Sequence, residues 1–141
     1  MNLRLIGLVV FGLTLSSCSD GGFNGGARQF SGVWLYEFEG STFVEGAAEI
    51  PTKRPDTSKT NYLEWGDWPG LEVLMEKSLA NEDCHTVQPF LVTFSGHRTH
   101  YPLYSARYFG GAGHLGLWRS KVTVQSPISA KRLGPSFCYD R

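Results

Sequence analysis

Four histidines, three cysteines and a cluster of glycines are the residues of this chain best suited to chemistry. His97 and His100 lie three apart, His114 follows, and His85 sits beside Cys84. Three neutral imidazoles converging at about 2 Å on one ion would make a zinc site. On an extended strand, positions three apart point to opposite faces. His97 and His100 would therefore meet only across a bend at Gly96 or a turn, and locally bonded loop histidines are the alternative. Glu37 and Glu39 would share a strand face, about 7 Å apart at the backbone. Paired carboxylates can divide acid and base roles when their surroundings differ. The plainer expectation is a solvated face, or ion pairs with Arg98 or Arg119. Ser95 and His97 also share a face, but no oxyanion donor accompanies them. Gly110, Gly111, Gly113 and Gly116 lack the helix and lysine of a phosphate loop.

The strongest grouping is aromatic. Tyr101, Tyr104, Tyr108, Phe109 and Trp118 surround the glycine loop, together with Arg98, Arg107 and Arg119. Aromatic residues and arginine are enriched where proteins make contact. Arg98, Tyr101, His114, Trp118 and Arg119 are the expected contact surface. The loop should be rigid, because so many glycines in one turn suggest positive φ or close backbone approach. No catalytic residue and no cofactor is expected. A zinc-binding or hydrolytic site on His97, His100 and His114 is the alternative.

Elements must position these residues. Gly32–Glu39, rich in aromatic and β-branched residues, predicts a strand. Gly40-Ser41 predicts a turn, and Thr42–Glu45 a partner strand. Residues 49–61 carry two prolines and several charges and read as a polar loop. Asp67–Ala80 predicts the one helix, with Pro69 in its first turn and Leu71, Leu74, Met75 and Leu79 at helical spacing; a strand over Leu71–Met75 is the opposing reading. Val87–Ser95 alternates, with Phe90, Val92 and Phe94 on one face, and Pro89 suggests an edge. Gly96 would bend it, and Thr99–Tyr104 would pair with it. Leu117–Val124 predicts a strand facing Val122 and Val124 inward. Pro127 would interrupt it before Ile128–Leu133 continues or adds an edge.

Short strands, one helix and glycine-rich turns predict a mainly β fold, a small antiparallel barrel. The run Leu91-Val92-Thr93-Phe94-Ser95-Gly96-His97-Arg98, then Gly113-His114-Leu115-Gly116, then Lys121-Val122-Thr123-Val124, resembles the central part of OB-fold-like domains in small bacterial lipoproteins. That resemblance implies a fold and no activity.

The N-terminus carries a second resemblance. Arg4 precedes an apolar run from Leu5 to Leu15, too short for a membrane span of about 20 residues. Leu15-Ser16-Ser17-Cys18 then resembles the bacterial lipobox. This implies a signal peptide over 1–17, cleavage before Cys18, and a diacylglyceryl and acyl (palmitate-type) anchor on that residue. Residues 18–29 read as a glycine-rich tether, and 30–141 as one β-rich domain. The implied location is the bacterial cell envelope, facing the periplasm, and Ser19 favours the outer membrane. In that oxidising compartment Cys84 and Cys138, the remaining pair, are expected to form a disulfide.

The whole chain has 13 Lys plus Arg and 13 Asp plus Glu; Arg4 is the one charged residue of the first 17, leaving 12 against 13. This near-neutral balance lacks the basic footprint of a nucleic-acid binder. It also argues against a basic patch as a second membrane anchor. The expectation is a non-enzymatic binding or structural module, held to the membrane through Cys18, whose partner is an envelope protein or a cell-wall component.

Overall fold

The computed structural model describes residues 23–75, 84–102 and 110–139. The expected signal peptide, Cys18, the start of the expected tether, residues 76–80 of the expected helix, and Tyr104, Arg107, Tyr108 and Phe109 lie outside the described residues.

The fold is mainly β. Strand β1 (Phe23–Asn24) is followed by β2 (Arg28–Glu37), β3 (Gly40–Glu45) and β4 (Asn61–Glu64). A four-residue helix α1 (Leu71–Leu74), the long strand β5 (Val87–His100), a 3-10 turn (His114–Gly116) and β6 (Ser120–Arg132) complete it. The sheet order is β1-β5-β2-β3-β4-β6, and β5 also pairs with β6. Strands β2, β3, β4, β6 and β5 therefore close into a five-strand ring. A mainly β, OB-like class was expected, but an all-antiparallel ring was not what formed. β4 and β6 run parallel, because the chain between them makes a full crossover through α1 and β5.

Alternation explains the interior. Phe90, Val92 and Phe94 of β5 are fully buried, as are Val122 of β6, Phe43 of β3 and Leu63 of β4. Val124 packs against the same cluster. Phe30 stacks on Phe94 at 5.5 Å, and Trp34 lies 5.3 Å from Phe90. Such ring pairs contribute about 0.5–1.5 kcal/mol each beyond the area they bury. The Trp34 indole N–H donates to Ser41 Oγ at 2.9 Å, and Ser41 donates to the Leu63 carbonyl at 2.6 Å. This buried chain joins β2, β3 and β4, and it satisfies polar groups that would otherwise destabilise the core.

Several boundaries differ from the sequence reading. The described fold starts at Phe23, not near Phe30, because β1 and β2 both pair with β5. The hairpin turns at Phe38-Glu39, with Glu39 at φ 58°, while Gly40 already pairs with Glu37. β4 occupies the end of the expected polar loop and the residues after it. Helix α1 starts after Gly70, which is left-handed, so Pro69 precedes the helix rather than opening it; Met75 is already extended. β5 runs unbroken to His100, so Thr99 continues it instead of starting a partner strand. Pro89 lies in a strand paired on both sides; its carbonyl accepts from Leu133, just past the paired part of β6. Pro127 does not end β6. Register shifts there leave Gln125 and Ile128 as extra residues, and such bulges tolerate proline. Gly96 sits at one shift, where a Cβ would run into the Thr123 carbonyl.

Glu64 reinforces the β4–β6 contact. Thr123 donates to it at 2.8 Å and Lys121 at 3.1 Å. Burial pushes its pKa up, but these bonds and the charges of Lys121 and His97 outweigh burial and hold it below the usual value of 4.5. A lowered folded-state pKa stabilises the fold above the unfolded value and is lost as pH falls through the folded one. Glu64→Gln should therefore lower the urea midpoint at pH 7, and the gap to wild type should close by roughly pH 3. An equal gap at both pH values would contradict this.

Cys84 and Cys138 form the expected disulfide, with Cα atoms 6.2 Å apart. Beside it, Val87 and Phe137 exchange two backbone bonds of 2.8 and 3.0 Å, tying the tail to the start of β5. The bridge spans 54 residues. Replacing both cysteines by serine should cost about 4 kcal/mol in chain-entropy terms, read as a lower midpoint in urea. Two alkylatable thiols in the native protein would contradict the pairing.

Candidate functional site

Two concavities lie on either side of the segment that enters β6. The first is built from the glycine loop. Gly113 has φ 74° and ψ −173°, Leu115 has φ 58° and ψ 12°, and Gly116 has φ 62°. The loop is closed by paired backbone bonds between Ala112 and Trp118 and a bond from Gly111 N–H to the Gly116 carbonyl. These bonds fix the ends of the loop to one another. Trp118 is 4% exposed and meets the edge of Tyr62 at 5.3 Å. Its Nε1 is buried and makes no hydrogen bond among the described residues.

Trp118 lines an apolar cleft of about 330 Å³ between the glycine loop, the β2–β3 turn and Tyr139. Leu35, Leu115, Leu117 and Phe38 supply further apolar wall. Phe38 and Leu115 are 65% and 60% exposed, and Leu115 holds its position at a left-handed backbone that costs about 1–2 kcal/mol for a branched residue. Most of the charged wall is already engaged. Arg54 donates to both oxygens of Glu37 at 2.8 and 2.9 Å and lies over the Tyr139 ring at 5.3 Å. His114 Nε2 is 3.6 Å from Glu39. Burial raises the Tyr139 phenol above its ordinary pKa, keeping it neutral, and its hydroxyl donates to the Pro51 carbonyl.

The second concavity, about 500 Å³, is polar. Arg98, His100, Arg119 and Lys59 line it, with Glu45 and the hydroxyls of Ser58 and Thr60. Arg98 bonds Glu45 and lies over the Phe30 ring at 5.6 Å.

The expected contact surface is thus divided. His114 and Trp118 face the apolar cleft, and Arg98 and Arg119 face the polar groove. Tyr101 stands beside Arg119, giving its backbone N–H to that residue's carbonyl at 3.1 Å. The histidines of the zinc alternative do not come together. His97 is opposite Thr123, His100 is opposite Ser120, and His114 is on the loop beside Glu39. Among the described residues no three His, Cys, Asp or Glu side chains could hold a metal ion. Glu37 and Glu39 share no strand face, since Glu39 is in the turn, and their partners are Arg54 and His114 rather than Arg98 or Arg119. Sequence reasoning missed Phe38, Leu115, Tyr139 and Lys59. A signal existed for Phe38, an aromatic residue directly before Glu39-Gly40 in the hairpin turn.

The loop geometry makes Gly113 its most restricted position. A Cβ there would collide with Tyr62 and Trp118, and its φ/ψ region is open to glycine almost alone. Gly113→Val should destabilise the domain by about 2 kcal/mol or more, measured by urea unfolding. A variant as stable as wild type would show that the loop yields easily. No protein-family model, no curated protein and no solved structure matches this chain.

Proposed function

We propose that this chain is a lipid-anchored protein of the bacterial envelope, facing the periplasm from the outer membrane, and that its β domain is a non-enzymatic binding module. The apolar cleft takes a segment of another envelope protein. One observation carries the binding reading: the indole N–H of Trp118, a residue of the cleft wall, is buried and has no hydrogen-bond partner among the described residues. A buried donor without a partner costs about 1–3 kcal/mol, which a peptide carbonyl would relieve once the loop shifts enough to open the indole N–H to the cleft. Exposed Phe38 and Leu115 at the mouth supply apolar area to bury. A glycan would find few open polar groups, because Glu37 is held by Arg54 and Glu39 lies beside His114. Anchoring rests on Leu15-Ser16-Ser17-Cys18 after the apolar run.

Two experiments test these halves. Cys18→Ser should lack acyl groups by mass and be released from membranes by a high-salt wash; retention would contradict the lipid anchor. A photoreactive residue at position 115 should give a discrete protein adduct in intact envelopes. The same residue at position 128, also exposed, should not. Leu115→Gly relieves the left-handed strain but loosens the unfolded chain. Its thermal midpoint should stay within a few degrees, while the adduct formed from position 38 falls. Equal labelling from 115 and 128, or none from 115, would remove the cleft from consideration.

A further inference from the structure

Four cations gather at one edge of the ring. Arg28 and Arg98 bond the two oxygens of the same carboxylate, Glu45, so one acid serves two guanidinium groups. Lys59 stands 3.9 Å from Asp56, and both side chains are mostly exposed, so water and salt screen that pair heavily. Arg119 is exposed and has no carboxylate partner among the described residues. Four cations thus share two carboxylates. Arg98, Arg119, Lys59 and His100 line one concavity of about 500 Å³ together with Ser58 and Thr60, whose hydroxyls donate to Asp56.

The N-terminal segment joins the domain at this same edge. Phe23 is opposite His100 and Asn24 is opposite Thr99. Gly25 donates its backbone N–H to the Arg98 carbonyl at 2.8 Å. Cys18 is five residues before Phe23, a reach of at most about 18 Å of extended chain. An acyl group on Cys18 would hold the strand end that carries Arg98 and His100 close to the headgroup layer.

We infer that the cationic groove is a membrane-docking surface that seats the phosphate headgroups of the leaflet carrying the chain's own anchor. The inference rests on the lipid-anchor reading for its geometry. The phosphates supply the anionic acceptors, and the lysine and arginines match them by charge and by fork-shaped donors. The near-neutral whole-chain balance conceals this edge, where the four cations meet only Glu45 and Asp56 among the described residues.

The test uses residues 18–141 with Cys18→Ser, so no acyl chain contributes. Sedimentation with phosphatidylglycerol vesicles should exceed that with phosphatidylcholine vesicles about ten-fold and vanish at high salt. Lys59→Gln combined with Arg119→Gln should weaken binding about ten-fold or more while the thermal midpoint stays put, as exposed substitutions usually leave it. Charge-keeping Lys59→Arg should bind as wild type, which separates loss of charge from loss of fold. Equal binding to both vesicles, or undiminished binding by the folded double variant, overturns the inference. So does binding of inorganic phosphate alone with none to vesicles, which would make the groove a site for a free anion. Acylation of Cys18 is read independently by mass, so failure of the anchor and failure of the groove are distinguishable.

Discussion

The ring stands on a short contact, the parallel pairing of Asn61–Glu64 with Ser120–Thr123. Parallel pairs are slightly less stable per residue than antiparallel ones, and four residues make few backbone bonds. Side chains reinforce the contact. Buried Ser120 donates to Asn61 at 2.7 Å, and Glu64 receives both Thr123 and Lys121. The hydroxyl and amide satisfy one another where neither is well exposed to water. This register also brings Leu63 and Val122 side by side into the core. Because β6 begins directly after the glycine loop, the same register decides where that loop rests.

The bend that leads into β6 then divides the work of adjacent residues. Trp118 turns toward Tyr62 and the apolar cleft, while Arg119 turns outward into the polar groove. One stretch of chain therefore forms a wall of two unlike surfaces, one apolar and one cationic. Under the functions proposed for them, a protein partner and a headgroup layer meet different side chains. Occupancy of one surface need not displace the other.

Much of the fold was legible because its signals are local. Phe90, Val92 and Phe94 announce an inward strand face, the glycines announce unusual backbone, and a remaining pair of cysteines announces a bridge. β4 was not legible, since Asn61 and Glu64 look like loop residues until their partners on β6 are known. β1 was hidden among glycines, and only its pairing with the far end of β5 makes it a strand. The helix pattern over 67–80 was real in spacing, yet left-handed Gly70 and extended Met75 confine the described helix to four residues. The sites were least legible. Arg98 owes its setting to Glu45, 53 residues away, and the cleft joins Phe38, Leu115 and Tyr139 from three distant segments. No spacing rule connects such residues.

The strand order has a consequence for when the molecule can fold. β6 pairs with both β4 and β5, so any chain still lacking residues beyond 119 has an open sheet with its aromatic interior uncovered. The disulfide adds to this, since Cys138 follows every strand. Long-range pairing of this kind is slow to nucleate, because distant segments must meet before any contact rewards them. For a polypeptide that crosses a membrane as an extended thread, as proposed here, placing the closing strand last is a built-in delay. Under that proposal the chain would stay threadable through transit and acquire its shape only on the far side.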